Sequence, residues 1–184
     1  RAALAPHAPW TAAPGWAATS PKERAELLRR LADLIDARND DIALVESLDM
    51  GFLHRSMKER LVARGAVNFR TYADLIDPGD SGTGASSPGA LGDHSWSARG
   101  TRHTVQLAPG GPAVVITPWN APFMLSTWKV APALAAGNPV ILKPAEWSPL
   151  TASILADLTV EAGFPPGVFN LVQGIGEEVG AALV

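Results

Sequence analysis

The chain has 184 residues, 47% of them apolar, which suits one domain or one and a fraction built around a real core. Its 15 basic and 18 acidic groups leave a formal charge of -3, which offers no general attraction for nucleic acid or an anionic membrane surface, so neither partner is expected. Zero cysteine removes disulfides, thiolate metal ligands and thiol nucleophiles together.

No apolar run approaches the roughly 20 residues that cross a bilayer. The start, Arg1-Ala2-Ala3-Leu4, lacks a charged region followed by a sustained apolar one, so a cytoplasmic protein is expected. Residues 1–19 are Ala, Pro and Trp with little charge, and Trp10 and Trp16 read as packing anchors. Ser20-Pro21-Lys22-Glu23 spells a helix start, with Ser as N-cap, Pro at the first position and Glu closing a capping box. Leu27, Leu28, Leu31, Leu34 and Ile35 then repeat at helical spacing, with Arg24, Arg29, Arg30, Asp33 and Asp36 largely elsewhere on the wheel. A second helix is predicted from Asp40 to Met50, closed by Gly51, and a third from Phe52 to Ile76, stopped by Asp77-Pro78-Gly79. Charges on these helices read as solvated faces. Residues 77–112 are crowded with Gly, Pro and Ser and mark a boundary, within which 102–107 alternate as a strand with no visible partner.

From Ala113 the pattern changes to strand (Val114–Ile116), helix (Pro122–Ala136), strand (Val140–Leu142), capped helix (Ser148-Pro149 to Ala162) and strand (Val168–Val172). Beyond residue 108 the only cations are Lys129 and Lys143. Strands alternating with such helices predict βαβ units in a parallel sheet buried on both faces, an incomplete doubly wound, Rossmann-like α/β fold. Gly174-Ile175-Gly176 opens a last helix, Glu177 to Leu183. Pro109-Gly110-Gly111-Pro112 stiffens the approach to the first strand and leaves its edge less certain.

Asn120 lies just past the first strand, where open α/β sheets place ligands; an isolated Asn there also serves as a helix cap or Asx turn. Lys143 and Glu146 end the second strand, where the ribose of a dinucleotide sits in such folds, and would otherwise be solvated charges. A Gly pair such as Gly174 and Gly176 is weak evidence of a nucleotide loop, and no complete G-x-G-x-x-G follows the first strand. His7, His54, His94 and His103 are scattered without metal-ligand spacing, and no G-x-S-x-G elbow is present, so no metal is expected.

Several ordered blocks resemble the aldehyde dehydrogenase superfamily. They are Ile116-Thr117-Pro118-Trp119-Asn120-Ala121-Pro122-Phe123, Trp128-Lys129-Val130-Ala131-Pro132, Leu142-Lys143-Pro144-Ala145-Glu146, Ser148-Pro149-Leu150-Thr151 and Glu161-Ala162-Gly163-Phe164-Pro165-Pro166-Gly167. The likeness is strongest to the semialdehyde branch, of the hydroxymuconate type. It implies that Asn120 donates its amide to the oxyanion formed when a thiolate attacks an aldehyde, and that Ile116, Thr117, Pro118, Trp119, Lys143, Glu146 and Gly176 bind the cofactor. Ala121, Leu125 and Trp128 would line the aldehyde tunnel, with Ala121 leaving room for a bulky substrate. The Glu146 carboxylate suits both ribose hydroxyls and repels an added phosphate, so NAD is expected over NADP. Residues 1–78 would be the helical part of the cofactor domain, 79–108 an oligomerisation arm and 109–184 the first βαβαβ portion.

The resemblance also implies a Cys nucleophile and a Glu base, and this sequence holds neither block. The expectation is therefore a cofactor-binding portion, inactive alone, that works as a homo-oligomer or with a chain supplying the catalytic residues. The alternative is a non-catalytic nucleotide-binding or assembly subunit.

Overall fold

The computed structural model describes residues 15–77, 94–105 and 108–184. Trp16 is buried against Phe164, with ring centroids 5.6 Å apart, whereas Trp10 lies outside the described residues. Helix α1 (Pro21–Ala37) starts as its sequence predicts: Ser20 Oγ accepts the Glu23 N–H at 3.2 Å, and the Glu23 carboxylate accepts the Ser20 N–H at 3.0 Å. Leu28, Leu31 and Ile35 are fully buried, with Leu27 and Leu34 at the margin. Arg24 departs from the expected solvated face. It is buried, and its guanidinium donates to the carbonyls of Ala135, at 3.0 Å from Nε, and of Thr19.

Helix α2 (Asn39–Met50) ends on Gly51 at φ 74, a left-handed cap that Gly enters without a Cβ clash. The predicted third helix begins later, at His54. It comprises α3 (His54–Ser56), a π-wound stretch (Met57–Val62) and α4 (Ala63–Ile76). α4 packs along α1, and the seam carries ion pairs from Arg29 to Asp74 and Asp77 and from Arg70 to Asp33 and Asp36. The predicted strand at 102–107 is found as β2 (Thr101–Val105), while Gln106 and Leu107 lie outside the described residues. Its partner, which the sequence did not disclose, is antiparallel β1 (His94–Ala98). Arg99 and Gly100 turn the hairpin with φ 51 and 79, the twist that two-residue hairpin turns require.

The remaining strands, β3 (Ala113–Ile116), β4 (Val140–Lys143) and β5 (Phe169–Leu171), form a parallel sheet in that order. α5 (Pro122–Ala135) and α6 (Leu150–Ala162) make the crossovers, giving the Rossmann-like α/β arrangement. The Pro109–Pro112 approach is firmer than its composition suggests. Asn138 Oδ1 accepts the N–H groups of Gly110 and Gly111 at 2.7 and 3.2 Å, and Ala113 N–H reaches Pro139 O at 2.7 Å. One hydrophobic cluster joins α1, α4, α5 and α6 to Val115, Val140 and Leu142 of the sheet. Cover on both faces is not met at β3. Val115 points into the core, whereas Val114 and Ile116, on the opposite face, are 42% and 49% exposed. The final segment is π-wound over Gly176–Gly180 before α7 (Ala181–Leu183). No described helix is long and apolar enough to cross a membrane.

Candidate functional site

A cavity of about 350 Å³ opens at the carboxyl ends of β3 and β4. Its walls are Ile116 and Thr117 at the end of β3, Lys143, Ala145 and Glu146 at the end of β4, and Gly176, Gly180, Ala181 and Val184 from the last segment. The register explains the convergence: Ile116 pairs with Lys143, so both strands end at the same level. Ile116, Thr117, Lys143, Glu146 and Gly176, singled out from sequence, thus line one cavity. Gly180 was missed, although it follows Gly176 at a spacing that returns to the same helical side.

Lys143 is only 2% exposed, yet its ammonium is paired. Nζ donates to Pro144 O at 3.0 Å and to Glu146 Oε2 at 3.4 Å. The aliphatic stem crosses Gly180, with Cε and Cδ 3.8 and 3.9 Å from where a Cβ on that glycine would stand. Glu146 is the more exposed partner, and its carboxyl is held below the usual range first by its own backbone N–H and then by the Lys143 ammonium. The backbone need for glycine falls on Gly174: at φ 150 a Cβ there would collide with Val179, whereas one on Gly176 would meet open space.

Of the loop between β3 and α5, Thr117 lines the cavity, and the residues after it flank the cavity without lining it. Thr117 is buried, its Oγ1 3.2 Å from Ser126 Oγ. Pro118, Trp119 and Asn120 are exposed, and Trp119 O accepts Ser148 Oγ at 3.2 Å. Sequence grouped Pro118 and Trp119 with the cavity residues; the structure sets them beside it. Ala121, not Asn120, occupies the α5 cap position, and no side chain of that residue caps the helix. Ala121, Leu125 and Trp128 follow one side of α5 at helical spacing, from buried Ala121 to half-exposed Trp128.

The cap comes from a residue that sequence assigned to a solvated face. Glu46 of α2 is fully buried. Its Oε2 lies 3.2 Å from Phe123 N and accepts Thr151 Oγ1 at 2.9 Å. Burial pushes the carboxyl up to about 7, opposed by the hydrogen bonds from Thr151 and Phe123 and reinforced by nearby Asp49. The available signal was spacing: Glu46 follows buried Ile42 and Ala43 by four and three positions, which places all three on one side of α2. Among the described residues, no group of three or more His, Cys, Asp or Glu is disposed to hold a metal ion.

Residues 2–184 match the aldehyde dehydrogenase family. The 5-carboxymethyl-2-hydroxymuconate semialdehyde dehydrogenase of Escherichia coli is 42% identical over 171 residues, covering 93% of this chain and 34% of that protein. The crystal structure of HpcC from Thermus thermophilus superposes with a TM-score of 0.79 at 46% identity, over 94% of this chain and 32% of that one. PnpE, solved in complex with nicotinamide adenine dinucleotide, gives 0.82 at 36% identity, over 92% and 33%. The chain therefore spans about a third of the length of the relatives it matches.

Proposed function

The chain belongs to the aldehyde dehydrogenase family, and from that premise we propose that it forms the NAD-binding portion of an enzyme that oxidises an aldehyde, of the semialdehyde class, to a carboxylic acid. The observation that carries this reading is the cavity at the strand ends, in which Ile116, Thr117, Lys143, Glu146 and Gly176 meet. A buried ammonium beside an ionised carboxylate fits a ribose, since Lys143 donates to a hydroxyl oxygen and Glu146 accepts from the hydroxyl hydrogens. The same carboxylate repels the extra phosphate of NADP. When bound, NAD supplies the hydride acceptor.

Asn120, exposed beside the cavity, is assigned the oxyanion: its amide donates to the oxygen that becomes negative as a thiolate adds to the aldehyde. Leu125 and Trp128 border the aldehyde's approach. None of the 184 residues is Cys, so the thiolate comes from outside them, as does the carboxylate base. Residues 79–108 are assigned to assembly into an oligomer, and a cytoplasmic location belongs to the same reading. The missing cysteine also favours a second reading, a nucleotide-binding or assembly subunit without catalysis. Native mass spectrometry separates the two, since a co-purifying thiol-bearing chain supports the enzyme and a lone species inert on mixing supports the subunit.

Calorimetric titration with NAD and NADP tests the cofactor assignment. NAD is expected to bind more tightly, and Glu146→Ala to narrow the difference. Equal affinity in the unaltered chain, or unchanged NAD binding after Glu146→Ala, refutes it.

A further inference from the structure

We propose that Glu46 is a positioning residue for the reaction: from α2 it fixes the N-terminus of α5 and, through it, the loop that carries Asn120. This rests on the role of Asn120 proposed above. Pro122 opens α5 and has no N–H, so the Phe123 N–H is the first donor through which another element can hold this helix end. Glu46 takes it at 3.2 Å and holds α6 with the same oxygen, through Thr151 Oγ1 at 2.9 Å.

The rest of the helix start is held as closely. Asn68 Nδ2 on α4 donates to Thr127 Oγ1 at 3.0 Å and to Met124 O at 3.5 Å. Gly65 lets α4 approach so near that a Cβ there would stand 2.6 Å from Phe123 Cε1. On the other side of Asn120, Ser148 Oγ fixes Trp119 O at 3.2 Å. Asn120 is itself exposed, but it lies between two tethered points, Trp119 O and Phe123 N.

A carboxyl group is an expensive way to fill a core position, since an apolar side chain of similar volume packs there without giving up hydration of polar oxygens. What a leucine cannot do is accept the Phe123 N–H. That hydrogen bond, reinforced by the dipole of a helix of 14 residues, ties the start of α5, and with it the loop before it, to α2.

The test compares Glu46→Leu, Glu46→Gln and Thr151→Val by NMR and hydrogen exchange on the full chain, then by steady-state kinetics in the assembly that supplies the thiolate. In Glu46→Leu the Phe123 amide is expected to exchange at least about tenfold faster relative to Val130 and Leu134 of the same helix, and the Asn120 side-chain resonances to move. Glu46→Gln retains an oxygen to accept from Phe123 and should keep the unaltered pattern. Thr151→Val removes one donor at constant volume, should shift the same signals in the same direction by less, and serves if Glu46→Leu does not fold. In the assembly, kcat should drop about tenfold or more in Glu46→Leu while KM for NAD stays within about twofold, with recovery in Glu46→Gln. A folded Glu46→Leu, or a folded Thr151→Val where that does not fold, with unmoved Asn120 resonances overturns the proposal, as does unchanged kcat accompanied only by a lower melting temperature. Failure of NAD to bind would remove the enzymatic reading and leave the Phe123 and Asn120 signals as they are, so the two failures are distinguishable.

Discussion

Asp49, in the last turn of α2, accepts the backbone N–H of Leu150, the first residue of α6, at 3.1 Å. The Ser-Pro pair before α6 reads as a local start signal, yet Ser148 Oγ is engaged with Trp119 O and the cap position belongs to Pro149. The capping acceptor is thus borrowed from a helix about a hundred residues earlier. Asp49→Ala is expected to lower stability by about 1 kcal/mol, the usual loss of an N-cap, measured as a shift of the urea midpoint at constant slope. Neutral behaviour of Asp49→Ala beside a full loss in Ser148→Ala would restore the local cap.

Lys143 and Gly180 make a second prediction. A methyl at Gly180 would meet the lysine stem at 3.8 Å, an ordinary contact, whereas a longer side chain must displace the stem. Gly180→Ala should therefore keep its NAD affinity within about threefold, and Gly180→Leu should lose at least about tenfold with the fold retained by circular dichroism. Equal affinities in the two variants would show that the lysine does not need this path.

What was legible in the sequence was whatever is encoded locally. Ser20, Pro21 and Glu23 encode the start of α1 within four residues, and Gly51 its counterpart at the end of α2. The short apolar strand over Val140–Leu142 places Lys143 and Glu146 at its end, whereas Ile116 and Thr117 enter through the family resemblance, and the pairing of Ile116 with Lys143 is what brings the two strand ends together. What escaped depended on partners distant in the chain. Arg24 and Glu46 look like surface charges until Ala135 O and Phe123 N are brought beside them. β1 escaped because His94-Ser95-Trp96-Ser97-Ala98 is short and lacks the β-branched run that marks a strand. The Gly174 and Gly176 pair is weak evidence of a nucleotide loop, and only the structure separates the two: the backbone angle of Gly174 and the nearness of Val179 require glycine there, whereas Gly176 faces open space.

Gly65 supplies a packing prediction. Its Cβ would fall 2.6 Å from Phe123 Cε1 and 3.4 Å from Thr127 Cγ2, in a core where α4 and α5 leave no room. Gly65→Ala is expected to destabilise by about 1–3 kcal/mol despite the better helix propensity of alanine. Thermal unfolding checks the sign, because a stabilised variant would mean that the Phe123 ring yields freely. Phe123→Leu combined with Gly65→Ala should recover much of the loss, as expected of two residues in contact.

The last prediction concerns pH. The Glu46 carboxyl titrates near 4.5 in an unfolded chain and is pushed up to about 7 in the folded one by burial. Over that interval the folded state holds a proton that the unfolded chain has released, so this group's contribution is fully present below pH 4.5 and is lost as pH rises through about 7. The loss is on the order of 3 kcal/mol for that net shift, and less where the loop opens to solvent. Glu23, Asp40 and Glu146 have lowered values and lose their contributions on the acid side instead, outside this window. Urea unfolding of the unaltered chain at about pH 5 and about pH 7.5 should therefore show a decline that Glu46→Gln abolishes, since the amide does not ionise. A decline of the same size in Glu46→Gln would place the titrating group elsewhere, whereas a rise in stability across this interval would mean that the α5 dipole and the two donors outweigh desolvation at Glu46.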